Sequence, residues 1–350
     1  MDGPSIRIGR DREIGPGHPA LIVAELGQNH NGSLSLAEEL IDAAAWAGAD
    51  AVKVVKRDLE SELSREARMR RYDSRHAFGV TYGEHRAALE LSAEEHYLLA
   101  QRARDHGLAY IATACDIPSA ALVDSLEVDA FKIASRDLAN LPLVEDVARR
   151  GRPVFLSTGM SQFEEIDAAV AVVFEANSPL AVFQCTSLYP TPMEQVHLRS
   201  LTTLSERYGA PVGFSDHTAG ILLPPTAVAL GACVVEKHLT LDRRMKGTDH
   251  ACSLEPEALR QMTANVRQIE AALGRADKPL APGVDAVRAK LGRSLVTRAA
   301  VPAGARLEEA MLALKCPGDG LSWFDLQKVV GRTLVRDLGP NEKLSWDDLA

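Results

Sequence analysis

Cysteine is sparse. The five residues, Cys115, Cys185, Cys233, Cys252 and Cys316, are scattered, odd in number and form no C-x-x-C pair. A disulfide framework is not expected, and a reduced cytoplasm is the expected home. Positive charge is in the minority, with 39 Lys and Arg against 48 Asp and Glu, for a net charge of -9. That balance argues against nucleic acid as the main partner, because phosphate backbones call for a basic face. Small anions need only a few local cations and stay open. Long apolar runs are missing too. The most apolar late stretch, ILLPPTAVALGACVV, is broken by Pro224, Pro225 and Gly231 and is too short to span a bilayer. The opening MDGPSIRIGRDREIG lacks the shape of a signal peptide, so no membrane partner is expected. There is no P-loop, HExxH or GxSxG motif, no internal repeat and no low-complexity tract.

What is present is a rhythm. Eight short apolar runs, ALIVAE, AVKVV, AYIATAC, AFKIAS, PVFLSTG, LAVFQCTS, PVGFSD and CVVEKH, lie between residues 20 and 238. Amphipathic stretches separate them. SLSLAEELIDAAAWAGAD opens with a capping-box pattern, Ser35 then Glu38, and carries Leu36, Leu40 and Ile41 on one face. SAEEHYLLAQRARDHG and QFEEIDAAVAVVFEA behave similarly. Strands that are apolar on both faces and alternate with helices imply an α/β fold with a covered parallel sheet. Eight such units favour a closed (β/α)8 TIM barrel over a doubly wound sheet. The pattern changes near residue 275, where GRADKPLAPGVDAVRAK is rich in Pro, Gly and charge. Beyond it come short strand-like pieces and Gly/Pro turns. The expected organisation is a barrel over 1–280, a linker over 281–292 and a small domain over 293–350. The last is near the lower limit for independent folding and should lean on the barrel or on a second subunit.

In such barrels the C-terminal strand ends carry the active site. Each run here ends in residues capable of chemistry, which capping alone does not explain for all eight. Lys53 and Lys132 stand inside apolar strands, where an unpaired ammonium is costly. Either they form structural ion pairs with Glu25 or Asp116, or they join Ser135, Ser157, Thr158 and Ser215 in binding a phosphate or carboxylate. His217 and His238 lie at equal depth on neighbouring strands. Each alone reads as a hydrogen-bonded structural residue. The two together, beside Asp216 and Glu236, suit a shared divalent ion such as Mn²⁺ acting as a Lewis acid. RRMKGTDH, residues 243–250, is either a solvated loop or one that brings Asp249 and His250 over the barrel mouth. YDSRHAFGVTYGEHR, residues 72–86, has the length of a lid or recognition element. Cys185 and Cys233 read as core residues.

IVAELGQNHNG, KIAS, LSTGM, CTSLYPTP, GFSDHT and VEKHLTLDRRMKGTDH, in that order, resemble the N-acetylneuraminate (sialic acid) synthase family, and the likeness covers the whole chain. The tail with LALKCPGDG resembles that family's antifreeze-like C-terminal domain, SAF, a β-clip fold. The resemblance implies condensation of phosphoenolpyruvate with an aldose such as N-acetylmannosamine, giving a 2-keto-3-deoxy (nonulosonic) acid and free phosphate. It implies a divalent cofactor, Mn²⁺ or Mg²⁺, held by His217 and His238, and Glu25 as catalytic carboxylate. Lys53, Thr113, Lys132, Ser135, Ser157, Ser187 and Ser215 match positions that hold phosphoenolpyruvate; Tyr189, Asp249 and Asp137 match the sugar side. A homodimer is implied, with the SAF domain of one subunit capping the barrel of the other.

Three positions depart from the family pattern, all on the acceptor side. Val55 replaces the usual Gln, Arg136 replaces a Gly after KIAS, and Cys316 replaces an Arg in the tail. A site built to hydrogen-bond a hydroxyl or amide discriminates strongly against substrates without it. The same condensation on another acceptor, a modified sugar or nucleoside aldehyde, is therefore one alternative. A non-catalytic phosphosugar-binding barrel is another.

Overall fold

Side chains along a strand alternate between faces, so a run that is apolar at every position needs cover on both. The computed structural model, which describes residues 4–350, provides it. After an antiparallel hairpin of β1 (Ile6–Ile8) and β2 (Arg12–Ile14) come eight parallel strands. They are β3 (Leu21–Gly27), β4 (Ala51–Lys56), β5 (Ala109–Ala114), β6 (Ala130–Ile133), β7 (Val154–Ser157), β8 (Leu180–Cys185), β9 (Val212–Asp216) and β10 (Val234–His238). They close into a barrel in which β10 pairs with β3. This is the (β/α)8 fold that the eight runs predict. Outward residues such as Ile22, Val52, Phe131 and Val235 pack under the helices in one large core. Inward residues Leu21, Val23, Ile111, Phe155 and Phe183 fill the barrel, and Ile6, Ile8 and Ile14 of the hairpin join them. The hairpin is absent from the reading above; its three isoleucines are its only apolar anchor and fall outside the eight-run rhythm.

Two local expectations need correction. The first long helix, Leu34–Trp46, is capped by Ser33, whose side chain accepts from Leu36 N; Ser35 lies inside the helix. Asp116, offered as a partner for a lysine, instead caps the helix Ile117–Ser125 and accepts from Ser119 N at 2.7 Å.

The chain divides between Gly274 and Arg275 into two units. In the second, helix Val284–Leu291 occupies much of the stretch read as a linker, between Gly283 and Gly292. Strands β11 (Ser294–Thr297) and β12 (Leu312–Lys315) pair antiparallel. A core of Leu295, Leu307, Leu312, Val329, Leu334 and Leu344 holds the unit together. Cys316 is exposed and its Sγ donates to Lys290 O at 2.9 Å. Among the described residues, no helix is long and apolar enough to cross a membrane.

Gly213 shows how tightly the barrel interior is filled. A Cβ placed there would lie 2.5 Å from the Phe183 ring. Gly213→Ala is expected to destabilise the protein by about 1–3 kcal/mol through overpacking, read as a lower urea midpoint at unchanged m-value.

Candidate active site

A cavity of about 380 Å³ opens at the C-terminal end of the barrel. Its volume lies in the range of small-molecule sites. Of the site residues put forward from the sequence, Asp137, Thr158, Asp216 and His250 do not line it, Thr158 donating its hydroxyl to Phe183 O at 2.8 Å instead; the others do. The reason is parity. Lys53 on β4, Lys132 on β6, Ser215 on β9 and Glu236 and His238 on β10 all point inward. Asp216 and Lys237 take the opposite parity. They form a fully buried ion pair of 2.7 Å outside the barrel, so Asp216 is no part of the site. Asp137 is buried behind Arg136, 3.4 Å from its guanidinium.

At the bottom of the cavity lies a chain of charge. Lys53 Nζ is 2.6 Å from Glu25 and 3.7 Å from Glu236, and Lys132 Nζ is 3.1 Å from Glu236. Lys53 also donates to Thr113 Oγ1 at 3.2 Å, and Ser215 donates to Glu236 at 2.9 Å. Lys132 further stacks on the Phe183 face, 3.4 Å from its centroid. Of the two sequence readings of the lysines, the ion pair with Glu25 is present, yet it lines the cavity rather than being walled off from it. The two carboxylates differ. Burial pushes Glu25 up to about 7 against the pull of Lys53. Glu236 is buried as deeply, but Lys132 and Lys53 overcome that and hold it down at about 2. Burial also opposes the charge on Lys53, but Glu236 and Glu25 keep it above its ordinary range, whereas burial prevails at Lys132 and lowers it. Two neighbouring carboxylates pushed apart in this way are a functional-site signature.

Backbone shape matters at two glycines. Gly27 follows Glu25 at a register shift with φ +47°, and a Cβ there would lie 3.0 Å from Glu25 Oε1 and 3.4 Å from the His238 ring. Gly159 donates its N–H to Ser135 Oγ at 3.0 Å. A Cβ on Gly159 would fall within 2.8 Å of both Cys185 Sγ and Ser187 Oγ, filling a hydroxyl-rich cradle. Cys185, read above as core, lines the cavity beside Ser135, at 3.1 Å; Cys233 is buried at the barrel floor as expected.

Higher up, the His217 and His238 ring centroids are 5.5 Å apart, and the Tyr189 ring lies tilted against His217 at 4.1 Å. His217 directs Nδ1 to Thr186 O at 2.8 Å, which leaves Nε2 open. His238 Nδ1 is buried without a hydrogen-bond partner. Burial lowers both imidazoles, His238 to about 4, so both are neutral at physiological pH, as metal ligands must be. Among the described residues no group of three or more His, Cys, Asp or Glu gathers in metal-binding geometry. A cation held by this pair would complete its shell with water or substrate oxygen. The long 72–86 connection meets the loop after β10: Gly247 N donates to His76 Nδ1 at 3.2 Å and the Lys246 ammonium covers Phe78. Asp249 lines the cavity, while His250 turns away to Thr240 at 2.6 Å.

Glu236, named from the sequence only beside the two histidines, also lines the cavity, as do Arg57, Arg86 and Gln28, which were not put forward. Parity alone places two of them, since Glu236 is two residues before His238 and Arg57 is four after Lys53. Arg86 and Gln28 meet through a 2.6 Å hydrogen bond across 58 residues, which no local pattern encodes.

This fold and cavity define a TIM-barrel enzyme with a lysine-, carboxylate- and histidine-lined cavity at its C-terminal mouth. Residues 40–278 match the model of the NeuB family, and residues 292–350 match that of the SAF domain. The chain belongs to the NeuB family. A Homo sapiens protein named N-acetylneuraminate-9-phosphate synthase is 39% identical, across 93% of this chain and 91% of its own. N,N'-diacetyllegionaminic acid synthase of Legionella pneumophila is 35% identical, across 99% of both. The crystal structure of N-acetylneuraminic acid (sialic acid) synthetase from Leptospira borgpetersenii, in complex with citrate, superposes with a TM-score of 0.72 at 33% identity, covering 81% of this chain and 95% of that one.

Proposed function

We propose that the protein condenses phosphoenolpyruvate with an aldose and releases phosphate, forming a 2-keto-3-deoxy acid of the nonulosonate type. The observation that carries this reading is the convergence in one cavity of Glu25, two ammonium groups and two open imidazoles. Membership of the NeuB family and the printed names of the relatives support it.

In this reading the dianionic phosphate and the carboxylate of phosphoenolpyruvate lie against Lys53, Lys132 and the hydroxyls of Thr113, Ser135, Ser157, Ser187 and Ser215. Carbon 3 of phosphoenolpyruvate bonds to the aldehyde carbon, whose oxygen becomes a hydroxyl. Water adds to carbon 2, and the tetrahedral centre then expels phosphate to leave the ketone. Glu25, poised near neutrality, takes the proton of that water, and Lys53 fixes its orientation. Tyr189, Asp249 and Arg136 face the aldose. His217 and His238 would hold Mn²⁺ or Mg²⁺, which when bound polarises the acceptor aldehyde. The SAF domain closes the partner subunit's barrel in a cytoplasmic homodimer. Val55 and Arg136 on the cavity wall favour an acceptor other than N-acetylmannosamine itself.

Phosphate release from phosphoenolpyruvate with Mn²⁺ and a panel of aldoses tests the reading; no release with any of them sinks it. Chelation is expected to abolish turnover and Mn²⁺ to restore it. His238→Ala is expected to cost at least about a thousandfold in kcat, in line with the several kcal/mol a Lewis acid supplies.

A further inference from the structure

Four polar residues follow β3 in a row, Gln28, Asn29, His30 and Asn31, and no step of the proposed reaction uses them. Three of them tie different loops together. Gln28 accepts from Arg86 in the 72–86 connection at 2.6 Å. Asn31 Oδ1 lies 3.4 Å from His250 Nε2, and the other nitrogen of that ring meets Thr240 Oγ1 at 2.6 Å. Asn29 is 3% exposed, and its Nδ2 donates twice: to Leu239 O, next to His238, and to Ser253 Oγ, both at 2.8 Å. Ser253 Oγ donates in turn to Asp249 O at 2.7 Å, closer than Cys252 Sγ at 3.1 Å or Cys252 N at 3.3 Å. Buried amides hold their hydrogens paired. This one side chain therefore fixes three segments at once: the turn after Glu25, the end of β10 and the loop that carries Asp249. Neither Asn29 nor Ser253 lines the cavity, whereas Asp249 does. The Asp249 carboxylate accepts from Thr248 Oγ1 at 2.7 Å, a partner on its own loop. The loop backbone then decides where that carboxylate stands, and Asn29 holds the backbone.

We infer that Asn29 is a positioning residue for the acceptor: through Ser253 it sets where Asp249 meets the aldose, in register with Glu25 four residues upstream. The inference rests on the synthase reading above and adds to it a residue that touches neither substrate.

The test has two arms, both on the full chain. The first is steady-state phosphate release with Mn²⁺ and the most active aldose of the panel. In Asn29→Ala, kcat/KM for the aldose is expected to fall by about tenfold to a hundredfold, the scale of an ångström of misplacement, with KM for phosphoenolpyruvate unchanged. Ser253→Ala should show the same split. In an Asp249→Ala background, Asn29→Ala should cost nothing further, because the group it places is gone. A merely structural role would weaken both substrates alike and would persist in that background; either result overturns the inference. The second arm is amide hydrogen exchange without substrates. Asn29→Ala should speed exchange over residues 239–254 and leave residues 130–159 as in wild type. Unchanged exchange over 239–254 overturns the inference whatever the turnover. Should Asn29→Ala fail to fold, Ser253→Ala, which removes a single hydroxyl, decides both arms. If the wild type releases no phosphate with any aldose, the synthase reading fails and the acceptor role of Asn29 fails with it, while exchange still reads the tie between the loops.

Discussion

Glu25→Gln is expected to lower kcat by about 10²–10⁴-fold, the usual worth of a positioned general base, with little change in the affinity for phosphoenolpyruvate. Gln keeps the volume of Glu, and Lys53 keeps Glu236 as a counter-ion at 3.7 Å, so the cavity retains its shape. What is lost is the group that takes the proton. The pH profile separates this from a structural effect. Burial raises Glu25 to about 7. A base must be ionised to act, so wild-type kcat should fall as pH drops through that value and level off above it. In Glu25→Gln that acid limb should vanish. Measurement is by phosphate release between pH 5.5 and 8.5. A variant that keeps wild-type kcat, or one that keeps the acid limb, would remove Glu25 from the proton transfer.

Lys237→Met is expected to destabilise the barrel by about 3–5 kcal/mol, because it leaves a buried carboxylate without its counter-charge. Lys237 and Asp216 are both 0% exposed on the outer wall of the barrel, and Lys237 Nζ also donates to Thr218 O at 2.6 Å. Asp216 additionally accepts from Thr218 N at 2.8 Å. The double variant Lys237→Met/Asp216→Asn removes both charges and keeps an acceptor for Thr218 N. It should recover most of the loss, since neutral replacement of a buried pair is often close to neutral. Guanidinium unfolding of the three proteins measures this. If the double variant is as unstable as the single one, the cost lies in packing rather than in the orphaned charge. Neither residue faces the cavity, so kcat of the folded fraction should be unchanged.

Much of the barrel was legible because burial on both faces leaves a mark in every strand. Each of the eight runs is one barrel strand to within two residues at the ends. The candidate site was legible for the same reason: Glu25, Lys53, Lys132 and His238 lie in or end apolar runs, where polar groups are costly, and His217 directly follows one. Parity was the information left unused. Applied to β9 and β10, it separates Ser215, His217, Glu236 and His238 from Asp216 and Lys237, and applied beyond β4 it reaches Arg57. Other features were out of reach. The hairpin β1–β2 is stabilised by residues of the barrel interior far away in sequence. Arg86 comes to the cavity through a helix within the 72–86 connection. Cys185 has an ordinary core context locally and gains its place at the cavity from Ser135, fifty residues earlier.

The isoleucine plug under Phe155 and Phe183 leaves the barrel with one door. Traffic is then single-file. A molecule seated on the floor lysines must enter before anything occupies the rim, and it stays trapped until the rim clears. On the proposed function, donor before acceptor is the binding order expected of this dead-end geometry.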